Sequence, residues 1–186
     1  VRRAARDRAF WGILIAVVAN ATVFSAVAFH LVTLLSERGV ALPTIVAVAA
    51  LVGPAQVAAR LGLLALERWL SLRAAALLAA ALPVGGTVVL AVVGPSSPLL
   101  WIFPLLYGAG NGMMTIVRAA AIADLLGRSS FGAINGAIAL PALVGTAVAP
   151  VAAAQLWHLL GDYDGVLAVL LGLALTSVAG LLWATS

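Results

Sequence analysis

Apolar residues run almost unbroken through six stretches: approximately Ala9 to Leu35, Pro43 to Leu66, Leu72 to Val93, Leu99 to Val117, Phe131 to Leu156 and Val166 to Ala184. A helix needs ~20 mostly apolar residues to cross ~30 Å of hydrocarbon. Each stretch meets or approaches that length. Between them lie SERGVALP, ERWLSLR, GPSSP, RAAAIADLLGRSS and HLLGDYDG, which carry charges or Gly/Pro turn residues. The pattern predicts an all-α membrane protein, a single domain of six transmembrane helices over residues 1–186. A β-barrel is excluded, because its strands alternate polar and apolar residues over only ~10 positions.

Within this pattern the stretch from Leu105 to Gly132, LLYGAGNGMMTIVRAAAIADLLGRSSFG, stands out. At about 100° per residue it puts Tyr107, Asn111, Thr115 and Arg118 within roughly 80° of arc, one polar stripe on an apolar rod. Gly108 and Gly112 lie beside that stripe and allow a second helix backbone to approach closely. Asp124 to Gly132 reads as the charged turn that ends the span.

Composition fixes the solvent. Hydrophobic residues make up 65% and charged residues 9% of the 186, and the mean hydropathy is +1.20, values that belong to lipid rather than water. The net charge of +4 would fit a nucleic-acid partner only if the basic residues formed one face, and they are scattered between apolar runs. Cysteine is absent, which removes disulfides, thiolate metal sites and cysteine nucleophiles. No metal or other cofactor is expected.

Arginine placement sets a sidedness. Arg2, Arg3, Arg6, Arg8, Arg68, Arg73, Arg118 and Arg128 fall at one side of the six-span plan, while the opposite loops hold only Arg38. By the positive-inside rule both termini are cytoplasmic. The opening VRRAARDR mimics a signal peptide, but the apolar run behind it is about twice the length of a signal core. Arginine without lysine, with abundant alanine, fits a bacterial source and hence the cytoplasmic membrane. The chain starts at Val1 and its last apolar run reaches Ser186, which reads as a piece of a longer protein.

Six spans divide into three and three, an inverted repeat with pseudo-repeats about 9–94 and 99–186. Asn20 and Asn111 hold matching places in the two halves, and ALVG recurs at Ala50 to Gly53 and Ala142 to Gly145.

The polar residues inside the spans are the candidate chemistry, and each has a bland reading beside the functional one. Asn20, Gln56, Tyr107 and Asn111 sit at the depth where transporters hold substrate; the alternative is interhelical glue. Gln56, Arg60 and Glu67 share a stripe, which reads as an inner gate or as an ion pair near the interface. Arg118 is a cavity residue or a chain end snorkelling to the headgroups. His30 is a proton-coupling group or a satisfied packing residue. Asn135 lies one turn from the inner surface, within reach of Arg118. The fifth span, with Gly132, Gly136, Pro141, Gly145 and Pro150, is a hinge or a closely packed helix. No catalytic elbow, metalloprotease helix or phosphate loop occurs, and Ser25 and His30 point about 140° apart, so an enzyme is not expected.

Taken together, RDRAFWG before the first span, LVGPAQVAARLG with ERWLSLR, the passage YGAGNGMMTIVRAAAIADLLGRSSFGAINGAI and the loop LLGDYDG resemble the carboxy-terminal six-helix half of a major facilitator superfamily (MFS) transporter. The resemblance covers essentially the whole chain. It departs in the loop after the second span, where Leu70 stands in place of an expected glycine and only Glu67, Arg68 and Arg73 remain of the charged motif. The resemblance implies a secondary active transporter that moves a small solute by alternating access, with a second, amino-terminal six-helix half as its partner. The first, second, fourth and fifth helices would line the route. Arg60 and Arg118 favour an organic anion as solute. A membrane scaffold or receptor whose polar stripes serve only packing is the rival reading.

Overall fold

The computed structural model describes residues 4–186; Arg2 and Arg3 of the basic opening lie outside the described residues. Six helices follow in order: α1 (Arg8–Glu37), α2 (Leu42–Ala65), α3 (Leu72–Val92), α4 (Ile102–Leu125), α5 (Phe131–Leu160) and α6 (Tyr163–Thr185). Two short 3-10 turns, Ala4–Arg6 and Pro98–Trp101, lead into α1 and α4. All six spans are long and apolar enough to cross a membrane, counting the Pro98–Trp101 turn with α4. The chain is an integral membrane protein by that criterion.

Local chemistry explains the boundaries. Asp7, Ser71 and Asp162 accept backbone N–H bonds at the starts of α1, α3 and α6, caps that each stabilise a helix by about 1 kcal/mol. Pro43 occupies the first turn of α2, where a missing N–H costs nothing. At the end of α5, Gly161 adopts φ +84°, a left-handed conformation that a side chain resists.

Three helices, α4, α5 and α6, outrun their expected limits by three residues or more. The fourth span does not stop at Val117: the alanine-rich segment after Arg118 continues the helix to Leu125, so Arg118 lies about 10 Å short of the helix end. The supposed HLLGDYDG loop shrinks to Gly161 and Asp162 because Leu160 still belongs to α5 and Tyr163 already to α6.

Adjacent positions at the start of α1 and the end of α6 show that both described ends lie at one end of the bundle. A Cβ on Gly12 would sit 2.6 Å from the Gly180 carbonyl, so the two backbones are in contact there. One turn on, Ser177 Oγ donates to the Ala16 carbonyl. At the far end Arg38 ties three connections together. It donates to the Ala91 and Val93 carbonyls that close α3 and pairs with Asp164 in the first turn of α6.

The pairing of helices is regular. α1 packs chiefly on α5 and α6, α4 chiefly on α2 and α3, and α3 packs on α6. α1 and α4 meet in the middle. α2 and α5 have the smallest buried share, with Leu61, Val57, Leu140 and Val151 exposed along them. The core has three parts, one toward the far end around Phe103 and Leu35, and two toward the end with the termini, around Ala79 and Met114 and around Ile13 and Ile138.

Candidate functional site

Where α1 meets α4, a chain of polar side chains crosses the bundle. Asn20 Nδ2 donates to Asn111 Oδ1, Asn111 Nδ2 donates to Gln56 Oε1, and Arg60 Nη2 donates to the same Gln56 oxygen, each at 3.4 Å. Arg60 Nε also donates to the Gly112 carbonyl. Three helices are joined by this chain, α1 through Asn20, α4 through Asn111 and α2 through Gln56 and Arg60.

The two sides of α4 differ. Toward α2, Gly108 and Gly112 present bare backbone: a Cβ on Gly108 would lie 2.6 Å from the Val52 carbonyl and one on Gly112 2.5 Å from the Gln56 carbonyl. Nothing larger than glycine fits, and the interface is shut. Toward α5, Thr115 and Arg118 project instead, and α4 scarcely touches α5. Both helices flank α1, so a cleft opens between them with α1 as its floor. Its volume is about 460 Å³.

Asn20, Asn111, Thr115, Arg118, Ser25 and Thr146 are its polar wall, and Phe24, Phe29, Met114 and Leu143 supply much of the apolar wall. Asn20 is buried, whereas Phe29, Thr115 and Thr146 are exposed, so the cleft is deep at α1 and open at its rim. Such a volume and such a mixture of apolar surface with a few polar groups suit a small ligand.

Ser25 has a further task. Pro150 lacks an N–H, so the Thr146 carbonyl one turn before it loses its helical partner. Ser25 Oγ donates to that carbonyl at 2.7 Å, filling the vacancy from α1. The bond ties α5 to α1 one turn before the proline.

Four residues were expected to line a substrate route. Asn20 and Asn111 do line the cleft. Gln56 does not; it ends the amide chain inside the α2–α4 contact. Tyr107 does not either. It is buried with its ring stacked on Phe24 and Phe103, and its hydroxyl donates to the Phe24 carbonyl. The stripe had placed Tyr107 on the same face as Asn111, but Phe24 of α1 lies between it and the opening.

The gating candidates scatter. Arg118 lines the cleft. Arg60 lies on the α2 side. Glu67 falls beyond the end of α2, exposed and without an ion pair among the described residues, so the stripe shared with Arg60 stops at Arg60. Asn135 makes no hydrogen bond to Arg118 and does not line the cleft. His30 sits away from the cleft at the junction of α1, α5 and α6, with Nε2 at 2.9 Å from the Pro150 carbonyl and Nδ1 at 2.8 Å from the Tyr163 hydroxyl. A carbonyl only accepts, so Nε2 carries the proton; in the neutral ring Nδ1 then accepts from Tyr163. Both ring nitrogens are engaged in packing the far end.

Compared with known proteins, the chain matches no family model and no curated protein. The sequence reading had not assigned Phe24, Ser25, Phe29, Leu143 or Thr146 to a site. Their common signal is the proline in α5, which predicts an unmet carbonyl near Thr146 but does not say which helix supplies the donor.

Proposed function

We propose that this chain is a six-helix unit of a secondary active transporter, built on the plan of the carboxy-terminal half of an MFS protein, and that the cleft between α4 and α5 forms part of the solute route. The observation that carries the reading is the cleft itself, open at its rim and polar at mid-length, in a bundle whose α2 and α5 bear the least burial. A partner half covering α2 and α5 would close that cleft into a central cavity. The two halves rocking against each other would expose it to each side in turn.

The helix pairing supports a three-plus-three origin. Exchanging α1, α2, α3 with α4, α5, α6 turns α1–α6 into α4–α3 and α1–α5 into α4–α2, which are the four main packing pairs. At 91 residues' offset Asn20 corresponds to Asn111, its own hydrogen-bond partner. The contact of Ser177 with Ala16 corresponds in the same way to that of Gly86 with Tyr107. The arginine distribution supports cytoplasmic termini in a bacterial membrane.

A scaffold remains the second reading, and one observation favours it: the chain from Asn20 to Arg60 is satisfied internally, as helix glue would be. Transport separates the two. Proteoliposomes holding the full chain would be incubated with a mixture of small metabolites and their contents read by mass spectrometry. A transporter enriches at least one solute over protein-free vesicles, and Asn111→Leu lowers that enrichment while the protein stays folded. No enrichment of any solute, or unchanged enrichment in the variant, would remove the reading or its site.

A further inference from the structure

One charged side chain stands in the wall of the cleft, and it has no partner. Arg118 makes no hydrogen bond among the described residues, its Nε is shut off from solvent, and no carboxylate approaches it. The remaining polar side chains of the wall each donate to a protein acceptor: Asn20 to Asn111, Asn111 to Gln56, Ser25 to Thr146, Thr115 to Gly112 and Thr146 to Ala142. Arg118 alone keeps its donors free. It is no chain-end residue either, since α4 runs on to Leu125. A guanidinium whose Nε is closed off from solvent in a largely apolar wall, with no anion beside it, favours an anionic occupant.

The wall is also graded along the bundle. α1 and α4 are level at Asn20 and Asn111 and run in opposite directions. Arg118 therefore lies about 10 Å from that level toward the end with the termini, and Phe24 to Phe29 lie about 6 to 14 Å from it the other way. The cationic pole and the aromatic pole face each other across the amides.

The geometry points to an amphipathic organic monoanion as the occupant of this cleft, its carboxylate held by Arg118 and its apolar body lying toward Phe24 and Phe29. A guanidinium presents paired N–H donors that match a carboxylate. With no second cation on the wall, a dianion would keep one charge unmatched. Arg60, which sits within α2 away from its ends, serves the α2 side and takes no part. This assignment rests on the transporter reading only for the use of the site, not for its occupancy.

Binding is therefore measured apart from transport. The purified full chain in detergent is titrated by isothermal calorimetry with 4-phenylbutyrate, 4-phenylbutanol and 4-phenylbutylamine, which share a body and differ in charge. The carboxylate is expected to bind about tenfold more tightly than the alcohol, the value of one charge-assisted pair, and the amine most weakly. Arg118→Gln should erase the preference, Arg118→Lys should keep part of it, and Arg73→Gln, an exposed cation lost elsewhere, should leave it intact. Equal affinity for acid and alcohol in the unaltered protein overturns the assignment whether or not the variants fold. So does an undiminished preference in Arg118→Gln. Acid-selective binding without uptake into proteoliposomes would leave the anion site standing and remove the transporter; uptake of neutral solutes alone would do the reverse.

Discussion

The two flanks of α4 are built from neighbouring residues of one helix, yet they do opposite things. On the α2 flank, glycines four residues apart let two backbones touch, and the polar groups nearby are consumed by one another. On the α5 flank, a threonine and an arginine face the next helix across a cleft. Helix packing in lipid gains no hydrophobic drive between apolar surfaces, so close contact depends on small residues and satisfied polar groups. The flank that has both is closed. The flank that lacks the glycines, and whose arginine finds no partner among the described residues, keeps space, and the space has a charge in it.

The contrast is most easily broken on its closed side. Gly112→Leu puts a side chain where the Gln56 backbone lies 2.5 to 3.0 Å from the first carbon, and it should cost about 3 kcal/mol or more. The check is thermal unfolding in detergent together with the yield of monodisperse protein. An unaltered melting temperature would mean that α2 does not sit on Gly112.

A middle-sized effect belongs to the floor of the cleft. Ser25→Ala leaves the Thr146 carbonyl unmet beside Pro150 and should destabilise by about 1 kcal/mol. Pro150→Ala restores the helical donor, so Ser25→Ala should cost less in that background. A double-mutant cycle on melting temperatures reads the difference. Strict additivity would show that the serine and the proline do not act on one carbonyl.

Smaller still is the bond between α1 and α4. Asn20→Leu removes a long hydrogen bond between partners that are both within the bundle, and should cost about 0.6 kcal/mol. The smallest expected effect sharpens the contrast from the other direction. Gly136→Ala lies on α5 with open space at its Cβ, so the melting temperature should stay the same or rise slightly through helix propensity. A loss comparable to that of Gly112→Leu would mean that this face of α5 is already covered.

The spans and their order could be read from the sequence because continuous apolar runs have one stable solution in lipid. The same reading found the close approach at Gly108 and Gly112, since glycines one turn apart beside a polar stripe leave little else to do. It misplaced the end of α4 because Arg118 and Asp124 look like a loop when charge is the criterion, although the alanines between them favour a helix. It gives Tyr107 the same open face as Asn111 because a stripe fixes a direction on one helix and says nothing about which neighbour stands in front. Phe24 stands there. Ser25 reads from the sequence only as a poor partner for His30, yet the Thr146 carbonyl of α5 takes its hydrogen bond. Periodicity gives each helix its faces; only the packing of α1, α4 and α5 says which faces enclose the same space.

The α5 flank of α4 should be wet and the α2 flank dry. The chain has no cysteine, so single cysteines report without background. Thr115→Cys on the open flank and Leu175→Cys on the outward face of α6 are both exposed positions, and only the first should meet water. Treated in membranes with a small impermeant thiol reagent, Thr115→Cys is predicted to react at a rate close to that of a far-end control at Ser96→Cys, while Leu175→Cys and Ala55→Cys, buried beneath Gly108, stay unlabelled. Silence at Thr115→Cys with Ser96→Cys labelling normally would contradict the account, because it would mean that the cleft is filled by lipid or protein and carries no solute.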